Sequence, residues 1–276
     1  MRHETPVHDL TVGYSTLPHR VSAIEPADWW DRADVVVVVQ TGEQAPAQAA
    51  TLAAERARLE RAGARTVALE SMGVARSRNE VLRQARTRYV LFSDDDVQVD
   101  WDGVRGMVAT MADQGLALGL GRAVGADGAL RKRYPEREQP LTLFNSAKAA
   151  TYEMIVDVER TREREVWFDE GYGAGATNYL GDEYIFIADL LRAGLSAHAI
   201  PEVVAAHPVE SSGSRWGTGE DLDARAAVLD RVFGRRAVAV KLAFAARHRS
   251  RLGGVGASLR FVRSTPRTRA RRRATG

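Results

Sequence analysis

No cysteine occurs among the 276 residues. That excludes disulfide frameworks, thiolate zinc sites and a cysteine nucleophile together. The chain nowhere strings together the roughly 20 apolar residues that span a bilayer. Its first positions, MRHETPVHDLTVGYSTLPHR, lack the apolar run of a signal peptide. These absences predict a soluble, cytoplasmic protein. What is present suffices for a folded body: 45% of residues are hydrophobic and 27% charged, which excludes wholesale disorder. The length fits one large domain, or one domain with a small appendage.

The net charge of +3 hides an asymmetry. Residues 235–276 hold 12 Arg and one Lys and no acidic residue, whereas residues 1–234 hold 26 basic against 36 acidic. Any nucleic-acid reading drawn from basicity therefore applies to the tail alone.

Strand and helix signals alternate through the first hundred residues. His8–Tyr14 reads as a strand, and Asp34–Gln40 (DVVVVVQ) as a strand buried on both faces. Pro46–Ala62 reads as a helix ended by Gly63, Thr66–Leu69 as a strand and Val74–Arg86 as a helix. Arg88–Ser93 is a fourth strand and runs into Asp94, Asp95 and Asp96. This alternation predicts a mostly parallel sheet covered on both faces, with ligands bound beyond the carboxyl ends of its strands. Further on, Asp102–Asp113 reads as a helix, Leu116–Val124 as a strand, Ala126–Gln139 as a loop and Tyr152–Val158 as a strand. Phe168–Gly175 is a glycine-rich loop, a helix follows from Gly181 to Arg192, and Ser196–Ile200 is a short strand. His207–Gly219 reads as a loop, and Asp221–Phe233 and Ala237–Arg249 as helices.

Three adjacent aspartates after a buried strand repel one another unless a positive charge lies among them, and a divalent cation would relieve this. Mg²⁺ and Mn²⁺ take oxygen ligands and complete their shells with water and phosphate. The plainer reading is an acidic turn capping the helix near Asp102. Arg76 and Arg78, at a helix start, suit an anion such as phosphate, or form a solvated face. Asp182 and Glu183 open a helix whose apolar positions are Phe186, Ile187, Leu190 and Leu191. Helical spacing puts Glu183 on that inward face, while dipole complementation at a helix start accounts for Asp182.

Four segments in order carry a resemblance: GVARSRNEVL, FSDDD, FDEGYGAGATNYLGDEYIFIADLLRAG and AIPEVVAAHPVESSGSRW. The chain resembles the family 2 glycosyltransferases of GT-A fold, especially bacterial enzymes of capsular and other surface polysaccharides, from about Val7 to Trp216. The resemblance implies an α/β protein: a Rossmann-like, mostly parallel central sheet flanked by helices, here with a C-terminal helical extension and a basic tail. It divides the chain into a glycosyltransferase domain over 1–234, an extension over 235–263 and a disordered basic tail over 264–276. Within the domain, 1–123 would bind nucleotide and 124–234 would lie on the acceptor side.

The implied reaction is an inverting, metal-dependent transfer of a sugar from a nucleotide diphosphate, a UDP-sugar, to a hydroxyl of a glycan or lipid-linked acceptor. Asp94 would contact the nucleotide and Asp96 the Mn²⁺ or Mg²⁺, with Asp95 in either role or structural. His207 would be a second metal or diphosphate contact, or else a loop residue. Glu183 is expected to be the base, with Asp182 as its competitor. Tyr14, Ser15 and Thr16 fall where relatives hold base and ribose and Gln40 ends the second strand, so these four would bind the donor or be simple turn residues, and Arg76 and Arg78 join them on the donor side. Asp169 and Glu170 would touch sugar hydroxyls or only end a strand, and Gly171, Gly173 and Gly175 would let backbone approach the sugar. Trp216 would stack on a sugar from a lid, or pack. Trp29, Trp30 and Trp167 read as packing residues. Ala237–Phe261, which mixes Val, Leu and Phe with Arg, and the basic tail after it would lie on an anionic membrane surface, or form a packed helix followed by a solvated tail; no aromatic interleaving supports nucleic acid. A catalytically silent domain tethered by that tail is the alternative.

Overall fold

The alternation of strand and helix is realised in a computed structural model, which describes residues 9–42, 46–207, 219–249 and 251–264. The first half is built from β1 (Leu10–Thr16), β2 (Asp34–Gln40), α1 (Pro46–Arg61), β3 (Arg65–Leu69), α2 (Val74–Gln84) and β4 (Tyr89–Asp94). The short β5 (Gln98–Val99), α3 (Trp101–Gln114), β6 (Leu118–Val124) and the short β7 (Gln139–Pro140) follow. Then come β8 (Met154–Asp157), α4 (Val158–Glu163), α5 (Asp182–Arg192), β9 (Ala197–Ala206), α6 (Gly219–Phe233), α7 (Ala237–Arg247) and α8 (Val255–Arg263).

One sheet runs β3-β2-β1-β4-β8-β6-β9-β5, with β7 also on β9. The parallel ladders β1 with β2 and β4, β2 with β3, and β6 with β9 are the long ones. The strand β8 lies antiparallel between β4 and β6, so the sheet is mixed at its centre while mostly parallel over its length. Both faces are covered. Val35, Val37 and Val39 of β2 join Trp29, Trp30, Trp101 and Met107 on one side. Val36 and Val38 join Val81, Leu82, Phe92 and Ile187 on the other. A run of five valines is what a strand needs when water reaches neither face.

Two local features place the site. Gly13 of β1 faces α2, where an added Cβ would come within 2.0 Å of Val81 Cγ1, so the missing side chain lets the helix lie directly on the strand. The helix α3 is capped by Asp100, whose side chain accepts from Gly103 N at 3.1 Å, and ends at Gly115 in the left-handed region. The cap of this helix is therefore Asp100 and not the aspartate triplet. The strand β9 extends six residues past the expected Ile200, through Pro201. Its pairing with β6 slips in register between Leu120 and Ala123. Such an irregularity is where a strand tolerates proline.

Candidate active site

The end of β4 delivers the three aspartates to different partners. Asp94 is half-buried and lies 3.7 Å from Arg78 Nη2. Asp95 is buried: Thr16 Oγ1 donates to its Oδ2 at 2.6 Å, and Arg20 Nε to its Oδ1 at 2.8 Å. Arg20 reaches on to Asp96 Oδ2 through Nη2 at 2.9 Å. The chain's own guanidinium thus offsets part of the triplet's repulsion, and Asp95 is held by Thr16 and Arg20.

His207 reaches the triplet through strand pairing. The strand β5, just after the aspartates, pairs with Ala205 and Ala206 at the end of β9, and the next residue is His207. Its Nε2 lies 3.5 Å from Asp96 Oδ1. Arg131 holds the other side of the ring, with Nη1 3.3 Å from Nδ1 and a second bond to the His207 carbonyl. The ring also packs against Tyr152 at 5.1 Å. The imidazole is therefore a buried, oriented group and not a loose loop residue.

Arg78 is the centre of the second cluster. Fully covered in α2, it binds Asp182 and lies 3.5 Å from Glu183 Oε1, besides its approach to Asp94. Expected on the donor side, it is surrounded here by carboxylates from two other elements, as a buried guanidinium requires anions around it. Thr151 Oγ1 also donates to Glu183 Oε1, at 2.9 Å. The two adjacent acids differ in access: the Asp182 side chain is 4% exposed and that of Glu183 22%. Burial, joined by the neighbouring charge of Glu183 and opposed by Arg78, pushes the Asp182 carboxyl up to about 7. Burial likewise raises Asp94, with Arg78 opposing.

Of the other residues expected on the donor side, Tyr14 and Gln40 are engaged within the protein and Ser15 stays beside Asp94. Tyr14 points into the core against Trp30, ring centroids 6.1 Å apart, and burial pushes its phenol up to about 12. Alternation along β1 sends it there, with Leu10 and Val12. Gln40 is buried and its Oε1 accepts from Gly73 N at 2.7 Å, tying the end of β2 to the start of α2. Ser15 lies beside Asp94 in register, and its Oγ is buried without a hydrogen-bond partner. Thr16 serves Asp95.

The glycine-rich loop approaches the protein itself. Gly173, at φ +90°, lies so close that a Cβ would fall 2.7 Å from Asp182 Cγ, and Ala174 O accepts from Val74 N at 2.9 Å. Asp169 is bound by Arg231 Nε at 2.8 Å, and Glu170 by Arg76 Nε at 3.0 Å. Both acids, like Arg76, are engaged in holding this loop to α6 and α2. Trp216 lies outside the described residues. Trp29 and Trp30 are buried and Trp167 half-buried, the packing roles expected of them.

Three contributors carried no signal strong enough to name from sequence. Asn79, inside the GVARSRN run, clasps Phe168 with both amide atoms, at 2.8 and 3.0 Å. Arg20 and Thr151 lie in short 3₁₀ helices with no motif around them.

Among the described residues no group of three His, Asp or Glu gathers as a metal cage. Asp96 Oδ1 and His207 Nε2 offer one oxygen and one nitrogen donor side by side. That pair fits an ion whose remaining ligands are water and diphosphate oxygens, as Mg²⁺ and Mn²⁺ accept.

No curated protein matches in sequence. Among solved structures, S. aureus TarS residues 1–349 in complex with UDP-GlcNAc superimposes with a TM-score of 0.59 at 14% identity, over 88% of this chain and 73% of that one. Longer TarS matches over 88% of this chain and 44% of its own, with a TM-score of 0.55 at 15% identity. A mannosyltransferase from Pyrobaculum calidifontis, in complex with GDP-Man and Mn²⁺, gives 0.53 at 17% identity, over 91% and 77%. These likenesses establish the GT-A-type fold. The family model described as "Glycosyl transferase family 2" matches residues 28–166, half of the chain, and the chain accordingly belongs to that family of glycosyltransferases.

Proposed function

We propose that this glycosyltransferase moves a sugar from a nucleotide diphosphate, a UDP-sugar, to a hydroxyl of a glycan or lipid-linked acceptor. Transfer would invert the anomeric carbon and serve surface polysaccharide or glycoconjugate synthesis on the cytoplasmic side of the membrane. The observation that carries the reading is the meeting of Asp94, Asp182 and Glu183 around Arg78 at the carboxyl end of β4. Solved neighbours holding UDP-GlcNAc, and GDP-Man with Mn²⁺, support the donor class and the ion.

Glu183 is the base in this scheme. It takes the proton of the acceptor hydroxyl as that oxygen bonds to the anomeric carbon and the bond to the diphosphate breaks. Since Arg78 and Thr151 both hold Oε1, the proton is assigned to Oε2. Asp182, more buried and tied to Arg78, positions the guanidinium. On the donor side Ser15 and Asp94 face the nucleoside, and Asp96 with His207 would hold the metal ion. When bound, the ion supplies Lewis acidity to the departing diphosphate. In this reading the catalytic unit ends at residue 234.

Calorimetric titration with UDP, GDP and dTDP, each with and without Mn²⁺, tests the reading. Metal-dependent binding of one nucleotide is expected. The Glu183→Gln variant should retain that binding while its transfer rate falls by about 10²–10⁴-fold. If none of the three binds to folded protein, the donor site is wrong and the silent-domain alternative gains. Full transfer by Glu183→Gln would remove the base assignment.

A further inference from the structure

The last two helices are apolar on more than the side that packs. On α7, Ala237, Lys241 and Ala245 turn inward, and on α8 Phe261 does. Together with Ala226 and Leu229 of α6, and with Leu252, the residues Ala245 and Phe261 form a closed cluster. Yet Val238 and Leu242, one turn apart on α7, stand 56% and 53% exposed. Val255 and Leu259, one turn apart on α8, stand 65% and 50% exposed. Half of the large apolar side chains left exposed among the described residues lie on these two helices.

Charge on the two helices themselves has one sign. Arg235, Arg236, Arg247, Arg249, Arg260 and Arg263 are exposed, and residues 235–276 contain no Asp or Glu. Aliphatic side chains interleaved with arginines match a surface that is anionic at its outside and apolar just beneath. A second copy of the same face would set positive charge against positive charge. The acidic balance of residues 1–234 would turn the rest of the molecule away from an anionic surface, which fixes one orientation.

We infer that the exposed faces of α7 and α8 dock on an anionic lipid bilayer, with Val238, Leu242, Val255 and Leu259 entering the headgroup boundary and the surrounding arginines meeting lipid phosphates. This gives the membrane contact an apolar footing in the folded body, apart from the basic tail, most of which lies outside the described residues. The inference concerns a surface away from the carboxylate cluster and does not rest on the donor assignment.

Flotation of the full chain with vesicles tests it. Binding is expected to vesicles of phosphatidylcholine mixed with phosphatidylglycerol and not to phosphatidylcholine alone. The variant Val238→Ser, Leu242→Ser, Val255→Ser, Leu259→Ser keeps every charge and should lose at least about tenfold in partitioning, since binding scales with buried apolar area as well as charge. Unchanged partitioning of that variant would assign the contact to the tail alone and overturn the inference. So would a wild-type chain that binds neither vesicle, or one whose exposed faces pair in concentration-dependent dimers instead of binding lipid. If the fourfold variant fails to fold, Leu259→Trp decides: its added fluorescence should shift to the blue with phosphatidylglycerol vesicles, and no shift overturns the inference. Failure of the donor reading would appear in nucleotide titration and leave flotation untouched.

Discussion

A carboxyl group kept from water beside another carboxyl holds its proton, and Asp182 is in that position. Its folded value, about 7, lies above the ordinary 3.8, so the folded protein binds more protons than the unfolded chain between those values. Stability drawn from this group is full below about 4 and is lost as pH rises through about 7. Asp182→Asn, which cannot ionise, should therefore gain stability relative to the wild type as pH goes from 4 to 7. Paired urea denaturations across that range check the sign; a difference that does not change with pH would contradict it. At this scale the sequence showed which residue types matter and not whom they meet. GVARSRN and FSDDD were legible as motifs, yet that Arg78 turns to carboxylates and that Asp95 belongs to Arg20 and Thr16 are tertiary facts. Partners so distant along the chain leave no mark in spacing.

At the scale of elements, the placement of Arg78 depends on how α2 rests on β1. Arg78 precedes Val81 by one turn, and Val81 occupies the space that a side chain at position 13 would need. Gly13→Ala should cost about 1–3 kcal/mol by overpacking. Val81→Ala in the same chain should recover part of that loss, because the two sites share one contact. Denaturant midpoints of the two single variants and the double variant measure the coupling; strict additivity would show that the close approach is unimportant. Legibility here followed hydrophobic pattern. The strand β2 was plain from DVVVVVQ, and α1, α2, α3, α5 and α6 came within two residues of their observed ends. The strand β8 was read longer than it is, and its antiparallel pairing was not foreseen, since four inward residues carry no direction. The full reach of β9 was hidden by Pro201, which reads as a stop unless the register slip is known. The six-residue α4 was too short to show a period.

At the scale of the whole molecule, the C-terminal helices share side chains with α6. Phe261, 1% exposed, packs in the same cluster as Ala226 and Leu229. Phe261→Ala should cost about 3–5 kcal/mol if α8 unfolds together with the body. Calorimetric melting checks this: one transition shifted down is expected, whereas an unchanged main transition would mean that α8 melts separately. The same molecule is polarised in charge, acidic through residue 234 and basic beyond it, a division visible in the sequence from the start. The contact of Arg78 with Asp94 on one side and with Asp182 and Glu183 on the other also has a mechanical side. It pins an early strand end and helix to a helix formed a hundred residues later. Sliding one past the other would strand a buried cation, so shear across the carboxylate cluster is resisted by electrostatic stiffness and not by apolar grip alone.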